Sequence, residues 1–179
     1  LERLGATMRW WRVRDDGRLH TEDLDAVLTS RTRMVACTMA ANATGSVVDV
    51  TDVARRAHAA GAEVFLDAVH YAPHGPIDVQ ALGCDFLAFS SHKLCGPSGV
   101  GALWGRAELL EAMEPFNLGG EMIRSVGLER TTFNELPYKF EAGTPAIAEA
   151  VGFGAAIDYI SEIGLPAIER HEHELTVYA

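Results

Sequence analysis

The chain has 179 residues, the length of one ordinary domain, and its 48% hydrophobic and 8% aromatic content is too apolar for disorder. Its 15 Lys+Arg against 25 Asp+Glu give a formal charge of −10, with no segment rich enough in basic residues to serve a phosphate-backbone binder. No uninterrupted apolar run approaches ~18 residues and the first ten residues lack a signal-peptide stretch, so no membrane partner is expected and a soluble cytoplasmic protein is the default.

Trp10 to Val13 reads as a short strand, followed by a turn at Asp15-Asp16-Gly17. Thr21 is expected to cap a helix over Glu22 to Thr29, with Leu24, Val27 and Leu28 at helical spacing. Met34 to Met39 is a short apolar run without alternation, as in a strand buried on both faces. Thr51 then caps a helix with Val53, Ala57 and Ala60 on one face, ended by Gly61. Glu63 to Asp67 is a second buried strand, Asp78 to Leu82 a brief helical turn stopped by Gly83, and Phe86 to Phe89 a third strand. Gly99 to Trp104 reads as a strand and Ala107 to Met113 as a helix. The link from Lys93 to Val100 is too short for a parallel crossover, so this strand is expected to run antiparallel. Gly119 to Thr132 carries a loop or hairpin, and Tyr138 to Glu141 is strand-like. Ala146 to Ile160 is a helix rich in small residues; Gly164 breaks it, and Leu165-Pro166 starts another. Strands alternating with helices make this an α/β protein with a mostly parallel sheet and one antiparallel strand. Both ends read as interior: LERLGA resembles the tail of a helix, and the last helix still runs at Ala179. A piece of a longer protein is therefore expected.

Of the 15 basic residues 13 are Arg; the two lysines are Lys93 and Lys139. Lysine can lose its proton and attack a carbonyl, which arginine cannot. In a parallel sheet, functional groups collect at the strand carboxyl ends. Three such ends deliver Asn42 (with Thr44 and Gly45), then Asp67 and His70, then Ser90-Ser91-His92-Lys93. A buried Asp67 needs a cation. Pyridoxal 5'-phosphate (PLP) requires a lysine for its Schiff base, an acid for its ring nitrogen and donors for its phosphate. Lys93, Asp67, and Ser90 with His92 meet these needs in turn.

The segment DAVHYAPHGPIDVQALGCDFLAFSSHKLCGPSGVGALWG, with the spacing of Ser30 to Gly45, GGEMI (119–123) and KFEAGTP (139–145), resembles class V aminotransferase-type PLP enzymes. It is most similar to their SUF-type cysteine desulfurase and selenocysteine lyase group. The resemblance implies the type I PLP-enzyme fold, incomplete here. Residues 1–163 would form the central and C-terminal part of the PLP-binding large domain, and 164–179 the start of the helix leading to a small C-terminal domain. It implies that Lys93 binds the cofactor covalently and moves protons at the substrate carbon. Asp67 would pair with the ring nitrogen, Ser90 and His92 would hold the phosphate, and Asn42 and His70 would lie near the 3'-oxygen. Thr144 would reach the phosphate of the neighbour in a homodimer. The implied reaction takes cysteine or selenocysteine, leaves alanine, and passes sulfur through an enzyme persulfide to an acceptor protein in sulfur metabolism and iron–sulfur cluster assembly.

Three positions depart from the family pattern: His70 where Gln is usual, Cys95 where Tyr is common, and Lys139 where Arg is usual. No match exists here for the family's N-terminal phosphate loop and ring-stacking His, or for its substrate-carboxylate Arg and sulfur-accepting Cys. Cys37 and Cys84 fit buried small hydrophobes, Cys95 is not the family's sulfur acceptor, and three cysteines without a CxxC pair suggest neither disulfides nor zinc. No metal site is expected; His58, His171 and His173 fit helix surfaces, and Lys139 a surface or interface charge. Two rival readings stay open: another class V enzyme (transaminase, epimerase or carbon–sulfur lyase), or an inactive truncated scaffold.

Overall fold

A computed structural model of the chain describes residues 5–179. Four strands form the central sheet in the order β1 (Met34–Thr38), β2 (Glu63–Asp67), β3 (Phe86–Ser90), β4 (Gly101–Gly105). The first three are parallel and β4 is antiparallel to β3, as the short Lys93–Val100 link requires. Helix α1 (Val50–Ala59) connects β1 to β2, and the single turn α2 (Val79–Leu82) precedes β3. Helix α3 (Ala107–Ala112) follows β4, and the hairpin β5 (Ile123–Val126) and β6 (Thr131–Phe133) forms a separate two-stranded sheet. Two long helices, α4 (Ile147–Ile163) and α5 (Leu165–Tyr178), complete the chain with a 69° bend between them. No single helix among the described residues is long and apolar enough to cross a membrane.

The main core lies between α1 and the sheet, where Val53, Ala57, Val64 and Leu66 lose all contact with solvent. Their periodicities, 3.6 in the helix and 2 in the strand, are what turn each toward the other. A second cluster joins Ala72, Leu94, Phe153 and Ile160, which packs α4 against the segment following β3.

Several expectations need correction. Trp10–Val13 forms no strand; Trp11 is anchored through its Nε1–H donating to the His20 carbonyl at 3.0 Å, while Trp10 and Val13 are exposed. Thr21–Ala26 is a 3-10 helix with Thr21 inside it rather than capping it. The cap of α1 is Asp49, not Thr51: Asp49 Oδ1 accepts the Asp52 N–H at 3.0 Å. β1 buries one face only, with Val35 toward the core and Met34 and Ala36 exposed. Tyr138–Phe140 is a 3-10 turn following Pro137, with Phe140 N–H donating to the Pro137 carbonyl at 3.0 Å instead of to a ladder. The helix tail read in LERLGA falls, for its first four residues, outside the described part.

Candidate active site

Asp67 ends β2 and sits in register between Thr38 of β1 and Ala88 of β3. Leu66 turns into the core, so the pleat sends Asp67 to the opposite face, where it is exposed rather than buried. Its Oδ1 accepts the Val69 N–H at 2.9 Å, and among the described residues it forms no ion pair. The expected local cation is therefore not supplied by these residues, and the exposed carboxylate faces outward for a ligand. His70 follows in a turn closed by Tyr71 and Ala72 N–H groups on the Ala68 carbonyl (3.0 and 2.8 Å), and is half-buried. Asn42 lies past β1, exposed, in a turn closed by the Gly45 N–H on the Ala41 carbonyl at 2.9 Å.

Ser90 ends β3 opposite Gly101, and the chain turns at once into a 3-10 turn, Ser91–Lys93, leaving His92 and Lys93 exposed. That turn closes on one acceptor: the Ser91 carbonyl takes the Leu94 N–H at 2.8 Å and the Gly96 N–H at 3.0 Å. The hydroxyls of Ser90 and Ser91 are buried and have no hydrogen-bond partner. Each such orphan costs about 1–3 kcal/mol, so each calls for an explanation. Ser91 is packed against Gly96, where an added Cβ would stand 2.1 Å from the hydroxyl. Ser90 lies three residues before Lys93.

The sheet thus brings Asn42, Asp67, His70, Ser90, His92 and Lys93 to its carboxyl edge, as the three parallel strands dictate. Thr144 stands apart from this group, exposed and three residues before α4. Its loop is held from behind, because the Gly143 N–H donates to the Gly120 carbonyl at 2.9 Å. GGEMI and EAGTP are therefore one structural unit.

Sequence reasoning missed two polar groups. Asp85, buried at the amino edge of the sheet, accepts from His58 Nε2 (2.8 Å), the Val64 N–H (2.7 Å) and Arg106 (3.0 Å). Burial pushes its carboxyl up, but these three bonds prevail and hold it below the usual carboxylate range. His58 is thus more than a helix-surface residue. The only local signal was an Asp directly preceding the apolar run FLAFS. Lys139, expected to be a surface or interface charge, donates to the carbonyls of Leu110 (3.1 Å) and Glu111 (2.8 Å), closing the C-terminus of α3.

Burial pushes the Cys37 thiol up to about 11 and raises Cys84 as well, so both stay protonated near neutrality; Cys95 is exposed. The edge offers a primary amine, an exposed carboxylate on the neighbouring strand, and an unpaired hydroxyl beside an imidazole. This set complements a ligand that carries an aldehyde, a basic ring nitrogen and an anionic group.

The family model for class-V aminotransferases matches residues 1–179. The chain is 51% identical over 178 residues to a probable cysteine desulfurase of Streptomyces coelicolor, covering 99% of this chain and 43% of that one. It is 46% identical to a cysteine desulfurase of Haloferax volcanii, covering 99% of this chain and 42% of that one. The structure of a cysteine desulfurase from Thermococcus onnurineus superposes with a TM-score of 0.92 at 37% identity, over 99% of this chain and 44% of that one. The Escherichia coli cysteine desulfurase CsdA gives 0.84 at 38% identity, over 88% and 39%. The architecture is the type I fold of these enzymes, in part: the chain spans less than half the length of the relatives it matches.

Proposed function

This chain belongs to the class-V aminotransferase family, and from that premise we propose that it is the lysine-bearing part of a PLP-dependent cysteine desulfurase. The observation that carries the reading is the buried, partnerless Ser90 hydroxyl three residues before Lys93, on a sheet edge that also presents Asp67. An anion accepting from Ser90 would remove the cost of that orphan.

When bound, PLP supplies an electron sink that weakens the bonds at the substrate's Cα. Lys93 Nζ would hold the cofactor through its aldehyde and, once the substrate amine has displaced it, would carry the proton at Cα. The Asp67 carboxylate holds a proton on the ring nitrogen, and the Val69 N–H keeps that carboxylate oriented. Ser90 Oγ and the His92 ring bind the phosphate, and Asn42 and His70 orient the ring from the 3'-oxygen side. Thr144 reaches the partner's phosphate in a homodimer, and its support by the Gly143–Gly120 bond suits a fixed reach.

The substrate is cysteine or selenocysteine, the product alanine. With Cys37 and Cys84 held protonated, and Cys95 not at the position the family uses for sulfur, the sulfur-accepting thiolate is assigned to a cysteine outside these residues. On this reading residues 1–163 are the central and C-terminal part of the large domain, and 164–179 begin the helix toward the small one. A sulfur-acceptor protein, a cytoplasmic location and a role in iron–sulfur cluster assembly go with it. The test incubates the full-length protein containing this chain with PLP, L-cysteine and a thiol reductant. Alanine and sulfide in equal amounts are expected. Cofactor binding with no alanine would overturn the desulfurase assignment in favour of another class V reaction.

A further inference from the structure

Helix α4 meets the loop that carries Lys93 at named points. Phe153 packs edge-on against Phe89 of β3, with ring centroids 5.9 Å apart, and shares a buried cluster with Leu94. One turn of chain later, Ala156 lies where its Cβ would be 3.4 Å from a Cβ added to Gly96. Pro97 lies over Gly152: a Cβ at Gly152 would stand 3.1 Å from Pro97 Cγ and 3.4 Å from Cδ. Gly154, in the same helix, has nothing within 4 Å of the equivalent position. The two glycines therefore share helix and chemistry but differ in what a methyl group would touch.

Resting on the reading of Lys93 as the PLP lysine, we propose that Gly152 is a positioning residue for that lysine, acting through Pro97. A methyl group on Gly152 must push the proline ring away. The ring is stiff, and its neighbour Gly96 is tied to the lysine turn, because the Gly96 N–H donates to the Ser91 carbonyl at 3.0 Å. Close-packed interiors transmit such a push rather than absorb it. Through the Gly96–Ser91 bond a shift of Pro97 reaches the 3-10 turn Ser91–Lys93, whose exposed end is Lys93. Thr144, the residue proposed to reach the partner's cofactor, lies in the loop three residues before the helix that packs on the lysine loop.

The experiment uses the full-length protein, first free of cofactor. Acetic anhydride labels Lys93 and Lys139, and peptide mass spectrometry gives their labelling ratio, with Lys139, which caps α3 from the turn Tyr138–Phe140, as the internal reference. Gly152→Ala is expected to change this ratio at least about threefold and to raise the PLP dissociation constant roughly tenfold, within the ~10²-fold reach of a 1 Å misplacement. Gly154→Ala is expected to change neither. Gly154→Ala should melt no lower than wild type, since alanine favours helix over glycine, whereas in Gly152→Ala that gain is set against the overpacking of Pro97. Pro97→Ala combined with Gly152→Ala should restore the wild-type ratio. Pro97→Ala alone should speed hydrogen exchange in Ser91–Val100, a readout that stands if Gly152→Ala fails to fold. Identical behaviour of the Gly152 and Gly154 variants, a double variant that stays defective, or unchanged exchange in Pro97→Ala would each overturn the proposal. If wild type takes up no PLP while the ratio still responds, it is the functional reading that fails and not the positioning.

Discussion

At the amino edge of the sheet Asp85 is buried with partners on all sides, from α1, β2 and the residue following β4. At the carboxyl edge the Ser90 hydroxyl is buried with no partner among the described residues, and Asp67 is exposed with a single backbone donor. Both edges are built from the same strands, so the contrast is not one of fold quality. A polar group that serves only the fold is satisfied within it, whereas one meant for a ligand waits unsatisfied at a cost in stability. On the proposed reading the amino edge serves the fold and the carboxyl edge the chemistry.

The sharpest way to break this division is at Lys93. Lys93→Ala is expected to lower alanine release from cysteine by on the order of 10²–10⁴, with the folded structure intact by circular dichroism. Asp85→Ala should do the reverse. Leaving the buried Val64 N–H without an acceptor costs about 1–3 kcal/mol in urea denaturation, while cofactor affinity in the surviving folded protein stays within twofold. A strong effect of Asp85→Ala on cofactor binding would collapse the division.

Much of the carboxyl edge was legible because its signals are local. EVFLD ends a strand in a carboxylate, SSHK follows a strand directly, and Gly83 and Gly164 mark stops that the positive φ values of 67° and 84° explain. The amino edge was not legible, because the Asp85 partners come from three elements and no spacing in one segment announces them. Lys139 was misread for the same reason: what it caps lies 28 residues away in sequence. Trp10–Val13 reads as a short strand yet pairs with no strand among the described residues, and Trp11 anchors its path. Asp67 was expected buried because EVFLD reads as continuous; the pleat sends its last residue outward.

Ser90→Ala refines the contrast, since it removes an orphan and a proposed ligand together. The cofactor-free protein should be as stable as wild type or more so, by up to about 1 kcal/mol, whereas PLP affinity should fall roughly tenfold in titration. Acid tests the opposite edge. Because Asp85 is depressed in the folded state, its contribution is full above the unfolded carboxylate value of about 3.9 and is lost as pH falls through the folded value. Asp85→Asn should lack that loss in melting temperatures followed from about pH 5 downward. The smallest expected effect concerns the thiols. Near pH 8 iodoacetamide should modify the exposed Cys95 first and spare Cys37 until the chain unfolds.

The account rests most directly on which amine meets the cofactor. Borohydride reduction of the full-length protein with PLP, followed by peptide mapping, is predicted to leave the pyridoxyl group on Lys93. Its appearance on Lys139 or on a lysine outside this chain, or no fixed cofactor at all, would contradict it.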